Sequence, residues 1–291
     1  MLKVVTDKNN LIANNLNNTG IIKIGTDKNN LIANNLNNTG IIKIGTYNIQ
    51  KCSTNKINIH KNILSILINL YDVVFIQELQ KNTQDSDVVK LYNNITHTHI
   101  LSELVGRNTY KERYCYIYNK TKVKCIEHYL FDDKKNFNVD CFERDPYVGK
   151  FSLISGFNKV TFYIVGCHTK PTDSLGECNM LDNIAAVLEQ KESNNNIRII
   201  ILGDLNAGTS YIKNDKRMDL SKKFYEITNG KIDTMVSLTS NNAHDRIYCT
   251  QNMTQSIVCF GVINMEHMFD LTNNQVRKIS DHYPLEVSFY F

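Results

Sequence analysis

Apolar residues in this chain fall mainly in short continuous runs broken by polar stretches, and only a few segments carry helical spacing. IIKIGTYNI, beginning at Ile41, reads as a strand, and Asp72–Gln77 (DVVFIQ) reads as a strand buried on both faces. Val160–Val165, Ile197–Leu202, Ile257–Val262 and Pro284–Phe291 predict further strands, and Tyr114–Tyr118 (YCYIY) is strand-like. Ile and Leu recur at helical spacing over Ile57–Leu70. Met180, Ile184, Val187 and Leu188 share one side of a helix predicted over Asn179–Gln190. This mixture predicts one mixed α/β domain, with two packed sheets and helices outside them.

The pattern changes at the N-terminus. TDKNNLIANNLNNTGIIKIG occurs at Thr6–Gly25 and again, identically, at Thr26–Gly45. Two copies are too few to build a solenoid, which needs more units to bury a continuous core. Only the second copy runs on into TYNIQ, so only it can supply the first strand. Residues 1–39 are therefore expected to form an Asn-rich, weakly ordered extension, and residues 40–291 the folded domain.

Composition adds little to this picture but narrows it. With 291 residues, 42% of them hydrophobic, the chain can bury a sizeable core. Its net charge of +4 permits a polyanionic partner without demanding one. The sequence has no apolar run of transmembrane length, and its first residues lack the apolar centre of a signal peptide. Eight cysteines include no CxxC and no zinc spacing, so reduced, partly buried thiols are expected.

Candidate chemistry sits at the ends of the apolar runs. Asn48 follows the first, Glu78 follows DVVFIQ, His168 follows TFYIVGC, Asp204 and Asn206 follow RIIILG, and Asp281 and His282 precede the last. Each alone is weak, because polar residues end strands everywhere. Carboxylates and amides at the same end of several strands can nevertheless converge. Asn48, Glu78 and Asp281 are oxygen ligands suited to Mg²⁺ or Ca²⁺, and His168 and His282 are candidates for general acid and base. GRNTYKERY, from Gly106 to Tyr114, adds dense aromatic and charged chemistry. Alternation would put Tyr110, Glu112 and Tyr114 on one face of an extended strand.

TYNIQ, FIQEL, GCHT, ILGDLNAG, AHDRIY and ISDHYPLEV occur in the order seen in the metal-dependent endonuclease/exonuclease/phosphatase superfamily, and GRNTYKERY and FERDPYVGKF resemble the deoxyribonuclease I family within it. The resemblance runs from about Ile41 to Phe291. It implies an α+β, four-layer sandwich, with two mainly antiparallel sheets packed together and flanked by helices. It implies a Mg²⁺- or Mn²⁺-dependent endonuclease cutting double-stranded DNA with little sequence preference and leaving 5′-phosphate and 3′-hydroxyl ends. Glu78, Asn48 and Asp281 would hold the metal, with Asp204 and Asn206 completing the phosphate and metal site. His168 would pair with Glu112 and His282 with Asp245, one pair as acid and the other as base. Tyr110, Arg107, Arg144 and Tyr211 would contact DNA or its phosphates. Asp133, Asp140 and Asp145 stand where the family places a structural Ca²⁺. A monomer is the family default. Some relatives bind actin, through a surface that no motif here carries over. Two other readings stay open: a phosphodiesterase acting on abasic DNA, RNA or an inositide or other phospholipid, and a DNA- or actin-binding relative that no longer cuts.

The chain also departs from the family pattern. Gln50 and Gln80 stand where the family usually has arginines that contact phosphate and the minor groove, and His244 stands in place of a tyrosine. Thr209 and Asn242 occupy the positions of one family disulfide, and Cys141 lacks the partner of a second. An intracellular, reducing location is the expectation from these losses. Secretion would follow if the N-terminus around the duplication is mis-assembled.

Overall fold

A computed structural model describes residues 40–154, 160–209, 211–212, 220–228, 230–239 and 241–291. The expected extension at 1–39 lies outside the described residues. From Ile41, the strands are β1 (Ile41–Cys52), β2 (Val73–Gln80), β3 (His97–Leu101), β4 (Glu112–Asn119), β5 (Val123–Leu130), β6 (Tyr147–Leu153), β7 (Thr161–Gly166), β8 (Ile199–Asp204), β9 (Phe224–Glu226), β10 (Asp245–Thr250), β11 (Ile257–Val262) and β12 (Leu285–Tyr290). The helices are α1 (Thr54–Ile68), α2 (Asp85–Tyr92), α3 (Asp133–Phe137), α4 (Ser174–Glu192), α5 (Leu220–Lys223), α6 (Met265–Phe269) and α7 (Asn273–Ile279).

Two six-stranded sheets form, in the orders β11-β12-β1-β2-β4-β3 and β5-β6-β7-β8-β10-β9. Each contains one parallel pair, β1 with β2 and β7 with β8, and is otherwise antiparallel. The expected four-layer sandwich is therefore the observed one. The parallel pairs require crossovers, and α1 and α4 supply them.

Side-chain alternation sorts the strands into three cores. Ile42 and Ile44 of β1, Val73 and Phe75 of β2, and Tyr114 and Tyr116 of β4 face Ile164, Ile200, Leu202 and Ile247 of the other sheet. Tyr47, Ile49, Val74 and Ile76 turn the other way, onto Ile57, Leu64 and Leu67 of α1. Val165 and Ile201 face Cys178, Leu181 and Leu188 of α4. Gly166 permits a close approach between the sheets, since a Cβ there would lie 2.4 Å from the Phe75 ring. Gly203 is restricted by its backbone: φ is +142°, and a Cβ would lie 1.9 Å from the Cys167 carbonyl oxygen.

Local signals set the helices that border the site. The Ser53 side chain accepts from the Lys56 N–H and starts α1 directly after β1. Thr272 and Gln275 form a capping box at α7, which ends one residue before Ser280 and the Asp281–His282 pair. All eight cysteines are free, and among the described residues no helix is long and apolar enough to cross a membrane.

Candidate active site

Parallel pairing explains why residues so distant in sequence meet. The C-terminal ends of β1, β2, β7 and β8 lie along one edge of the sandwich. Antiparallel β4, β10 and β12 begin at that same edge. Asn48, Glu78, His168 and Asp204 come from the first group, and Glu112, Asp245, Asp281 and His282 from the second.

The strand ends are not regular. β1 does not stop at Asn48 as expected but continues to Cys52 through a register shift, with Gln50 and Lys51 at φ of 23° and 49°. β2 shifts register between Ile76 and Leu79, where Glu78 has φ of 61°, and Asn206 after β8 has φ of 45°. These are uncommon conformations for residues other than glycine. Such bulges re-aim side chains beside a site, and here they accompany the turn of Asn48 and Glu78 toward one another and of Gln50 toward Asp281.

Asp204 is the centre. Its Oδ2 lies 3.5 Å from Nε2 of His168 and 3.5 Å from Nε2 of His282. On its far side, His168 Nδ1 is 2.9 Å from Glu112 Oε1, and His282 Nδ1 is 2.8 Å from Asp245 Oδ2. Both expected histidine–carboxylate pairs are thus present, and they flank one carboxylate. Burial would raise the Asp204 carboxyl, but His282, His168 and His244 outweigh it and hold it down at about 2. Burial likewise disfavours the His282 imidazolium, yet Asp245 and Asp204 raise it to about 10. His168 moves up in the same way, with Glu112 overcoming burial.

Glu78 faces this cluster from the other sheet. The Asn48 amide donates to its Oε1 at 2.9 Å, while the Lys51 N–H and Tyr110 hydroxyl donate to Oε2 at 2.8 and 3.1 Å. Burial raises its carboxyl, and the His168 charge with these donors brings it below the usual value. Asn48 turns its amide N–H₂ toward Glu78 and Asp204, and its oxygen accepts from the Gln50 N–H. Asp281 Oδ2 accepts from the Gln50 carboxamide at 2.7 Å. Oδ1 of Asp281 and Oδ1 of Asp245 are buried without a hydrogen-bond partner. Buried orphan carboxylate oxygens among other oxygen donors fit a hard divalent cation. Asp204, Asp245 and His282 also bring ligand atoms within 4.8 Å of one another.

The expected substrate contacts divide. Tyr110 lies two residues before β4, which begins at Glu112, so it is not on the strand itself. Its hydroxyl still reaches Glu78, and its ring is 43% exposed. Tyr211, 47% exposed, lies against the His244 ring at 5.1 Å. Arg144 is buried and donates to the backbone oxygens of His168 and Thr169, so it clamps the segment that carries His168. Arg107 is paired with Asp140 at 2.6 Å, and Lys134 holds the other Asp140 oxygen at 2.9 Å. Asp133 accepts from the N–H groups of Cys141 and Phe142. Asp145 is raised to about 6 by burial and then by Asp133 and Asp140, while both Asp140 oxygens are taken by Arg107 and Lys134.

Several supporting residues escaped the sequence reading. Gln77 bridges the sheets, accepting from the Asp204 N–H and donating to Thr46 Oγ1, both at 2.7 Å. Ser280 Oγ donates to the Asn48 carbonyl and accepts from the His282 N–H, and the Tyr114 hydroxyl accepts from the His168 N–H. A polar residue inside the apolar run DVVFIQ was the available signal for Gln77. Ser280 carried none, and for Tyr114 alternation gave only its shared face with Glu112.

The His282–Asp245 pair also has a stability signature. A histidine raised above its ordinary 6.5 contributes fully below that value and loses the contribution as pH rises toward about 10. Asp245→Asn removes the partner. The stability lost in this variant, read by urea unfolding with chelator present, is therefore expected to be largest near pH 6.5 and to shrink toward pH 10. A loss that stayed constant over that range would show that the pair is not linked to folding.

Residues 45–282 match the model of the Endonuclease/Exonuclease/phosphatase family. The chain is similar to Deoxyribonuclease-1 of Bos taurus, with 34% identity over 239 residues, covering 76% of this chain and 82% of that protein. It is similar to Deoxyribonuclease gamma of Mus musculus, with 29% identity over 257 residues and 82% of each chain covered. Among solved structures, humanized D. rerio TDP2 superposes with a TM-score of 0.60 at 16% identity, covering 86% of this chain and 99% of that one. An endonuclease/exonuclease/phosphatase family protein from Bacteroides thetaiotaomicron gives 0.57 at 15% identity, covering 86% and 98%. At such identities these two structures speak for the fold alone.

Proposed function

Because the chain belongs to the endonuclease/exonuclease/phosphatase family and, within it, to the deoxyribonuclease I family, we propose that it is a divalent-metal-dependent endonuclease that cuts double-stranded DNA with little sequence preference. Hydrolysis of DNA follows from the family itself. The observation that carries the rest is the pair of histidine–carboxylate couples facing Asp204 beside Glu78. One imidazole takes a proton from the attacking water at its Nε2, and the other delivers one to the departing 3′ oxygen. Breaking that bond leaves a 5′-phosphate and a 3′-hydroxyl. Glu112 and Asp245 fix the tautomer and orientation of each ring through Nδ1. Glu78 and Asp281, with Asp204 nearby, would hold Mg²⁺ or Mn²⁺, which when bound supplies Lewis-acid stabilisation of the phosphoryl charge. Tyr110 and Tyr211 are exposed rings positioned for DNA contact at the rim. Low sequence preference follows from contacts to sugar and phosphate, which carry no direct base information. Asp133, Asp140 and Asp145 are the proposed Ca²⁺ loop.

The test is nicking of supercoiled plasmid by the full chain, with Mg²⁺ plus Ca²⁺ and with EDTA. Nicks are expected only with metal, and DNA ligase is expected to reseal them without prior kinase treatment. Nicks that persist in EDTA would overturn the metal dependence. Nicks that need end repair would overturn the assigned bond cleavage. No nicking, with activity instead on RNA, abasic DNA or an inositide, would move the site to another phosphodiester.

A further inference from the structure

Three exposed lysines sit on three neighbouring strand ends at the lip of the site. Lys51 lies in the left-handed turn near the end of β1, Lys81 directly follows β2, and Lys111 directly precedes β4. β2 is hydrogen-bonded to both β1 and β4. Gln80 is paired with Glu112, so the next antiparallel positions set Lys81 across from Lys111. The Lys51 N–H donates to Glu78 Oε2, which fixes that end of the row against the proposed metal site.

This row is unlike the other cations nearby. Arg107 and Lys134 share Asp140, and Lys170 is paired with Glu143. None of Lys51, Lys81 and Lys111 has an ion-pair partner among the described carboxylates. Like charges on adjacent strands repel, and the fold gains nothing from leaving them uncompensated. An anion lying across the row removes that cost. Lys81 and Lys111 face each other across strands about 4.8 Å apart, and because Cys52 pairs with Leu79, Lys51 lies about three residues, roughly 10 Å, back along the strands from Lys81. Three successive phosphates of one duplex strand are two steps apart from first to last, and the flexible lysine side chains on these strand ends reach that far.

Gln50 explains why charge is needed there. Its carboxamide is turned inward onto Asp281, so the first of the two glutamines in place of family arginines is not free to meet a backbone phosphate. Its successor in the chain, Lys51, is exposed, and the same holds for Lys81 after Gln80.

We propose that Lys51, Lys81 and Lys111 form a phosphate-binding rail that seats the duplex strand beside the cleavage site. The inference rests on the DNA reading above and adds the residues that supply its electrostatic grip.

The test is the salt dependence of binding to a fluorescent duplex of about 20 base pairs by the full chain carrying His168→Ala and His282→Ala, a span long enough to cover the row several times. Each lysine that neutralises a phosphate contributes about 0.9 to the slope of log K against log salt. Replacing all three by glutamine is expected to flatten the slope by about 2.7, while replacing all three by arginine keeps it. Lys61→Gln and Lys124→Gln, at exposed lysines away from the rim, are expected to leave the slope unchanged. A slope retained by the triple glutamine variant, or flattened equally by the distant controls, would overturn the rail while leaving the DNA reading intact. A parent protein that binds no duplex at any salt would overturn both.

Discussion

His282→Ala is expected to lower plasmid nicking by about 10²–10⁴-fold, and His168→Ala by a similar factor. Both imidazoles present Nε2 to the same Asp204 oxygen, and both are fixed from behind by a buried carboxylate. Alanine removes the proton-carrying group and also exposes two carboxylates to one another across the gap, Asp204 and Asp245 in the first case, Asp204 and Glu112 in the second. Groups that act as one unit lose less in combination than the product of their separate losses. The double variant is therefore expected to fall little below the worse single one. Unfolding by urea separates lost chemistry from lost fold. A folded His282→Ala protein that nicks at the wild-type rate would remove His282 from proton transfer.

Glu78→Gln is expected to raise the concentration of Mn²⁺ or Mg²⁺ needed for nicking by more than about 100-fold, since even outer-shell partners of a metal ligand are worth 10–100-fold in affinity. The substitution keeps the shape but not the donors. Oε1 accepts from the Asn48 amide, and Oε2 accepts from the Lys51 N–H and the Tyr110 hydroxyl. Whichever way a glutamine turns, its N–H₂ meets another nitrogen donor. The residue is also held at a φ of 61°, a conformation that persists only while its partners over-determine it. Mn²⁺ binding measured by electron paramagnetic resonance reads the loss directly, independent of turnover. Unaltered Mn²⁺ affinity in a folded variant would take Glu78 out of the metal site.

Most of the residues gathered at the candidate site were legible as text. The residues that end apolar runs are those the fold gathers, because a strand's end places its next polar residue at the sheet edge. Asp204, His168, Glu78, Asp281 and His282 were found this way. What failed was whatever depended on backbone irregularity. β1 and β2 were expected to end near Asn48 and Glu78, yet both continue through bulges, and no composition signal marks a left-handed Gln50 or Glu78. Tyr110 was placed on a strand face by alternation, which does not register that the strand begins only at Glu112. Arg107 and Arg144, expected at the phosphate, are engaged with Asp140 and with backbone carbonyls.

The layers, the polar residues at the strand ends and the family were all legible in the chain. Those features follow from local periodicity and from the order of short motifs, which need no third dimension. Tertiary structure alone decided that two histidines share one carboxylate, that Gln77 ties Asp204 to the opposite sheet, and that Gln50 faces Asp281 while Lys51 faces solvent. Each of these depends on contacts between residues up to 231 positions apart, brought together by parallel pairing and aimed by bulges, and no local pattern in the chain encodes such a distance.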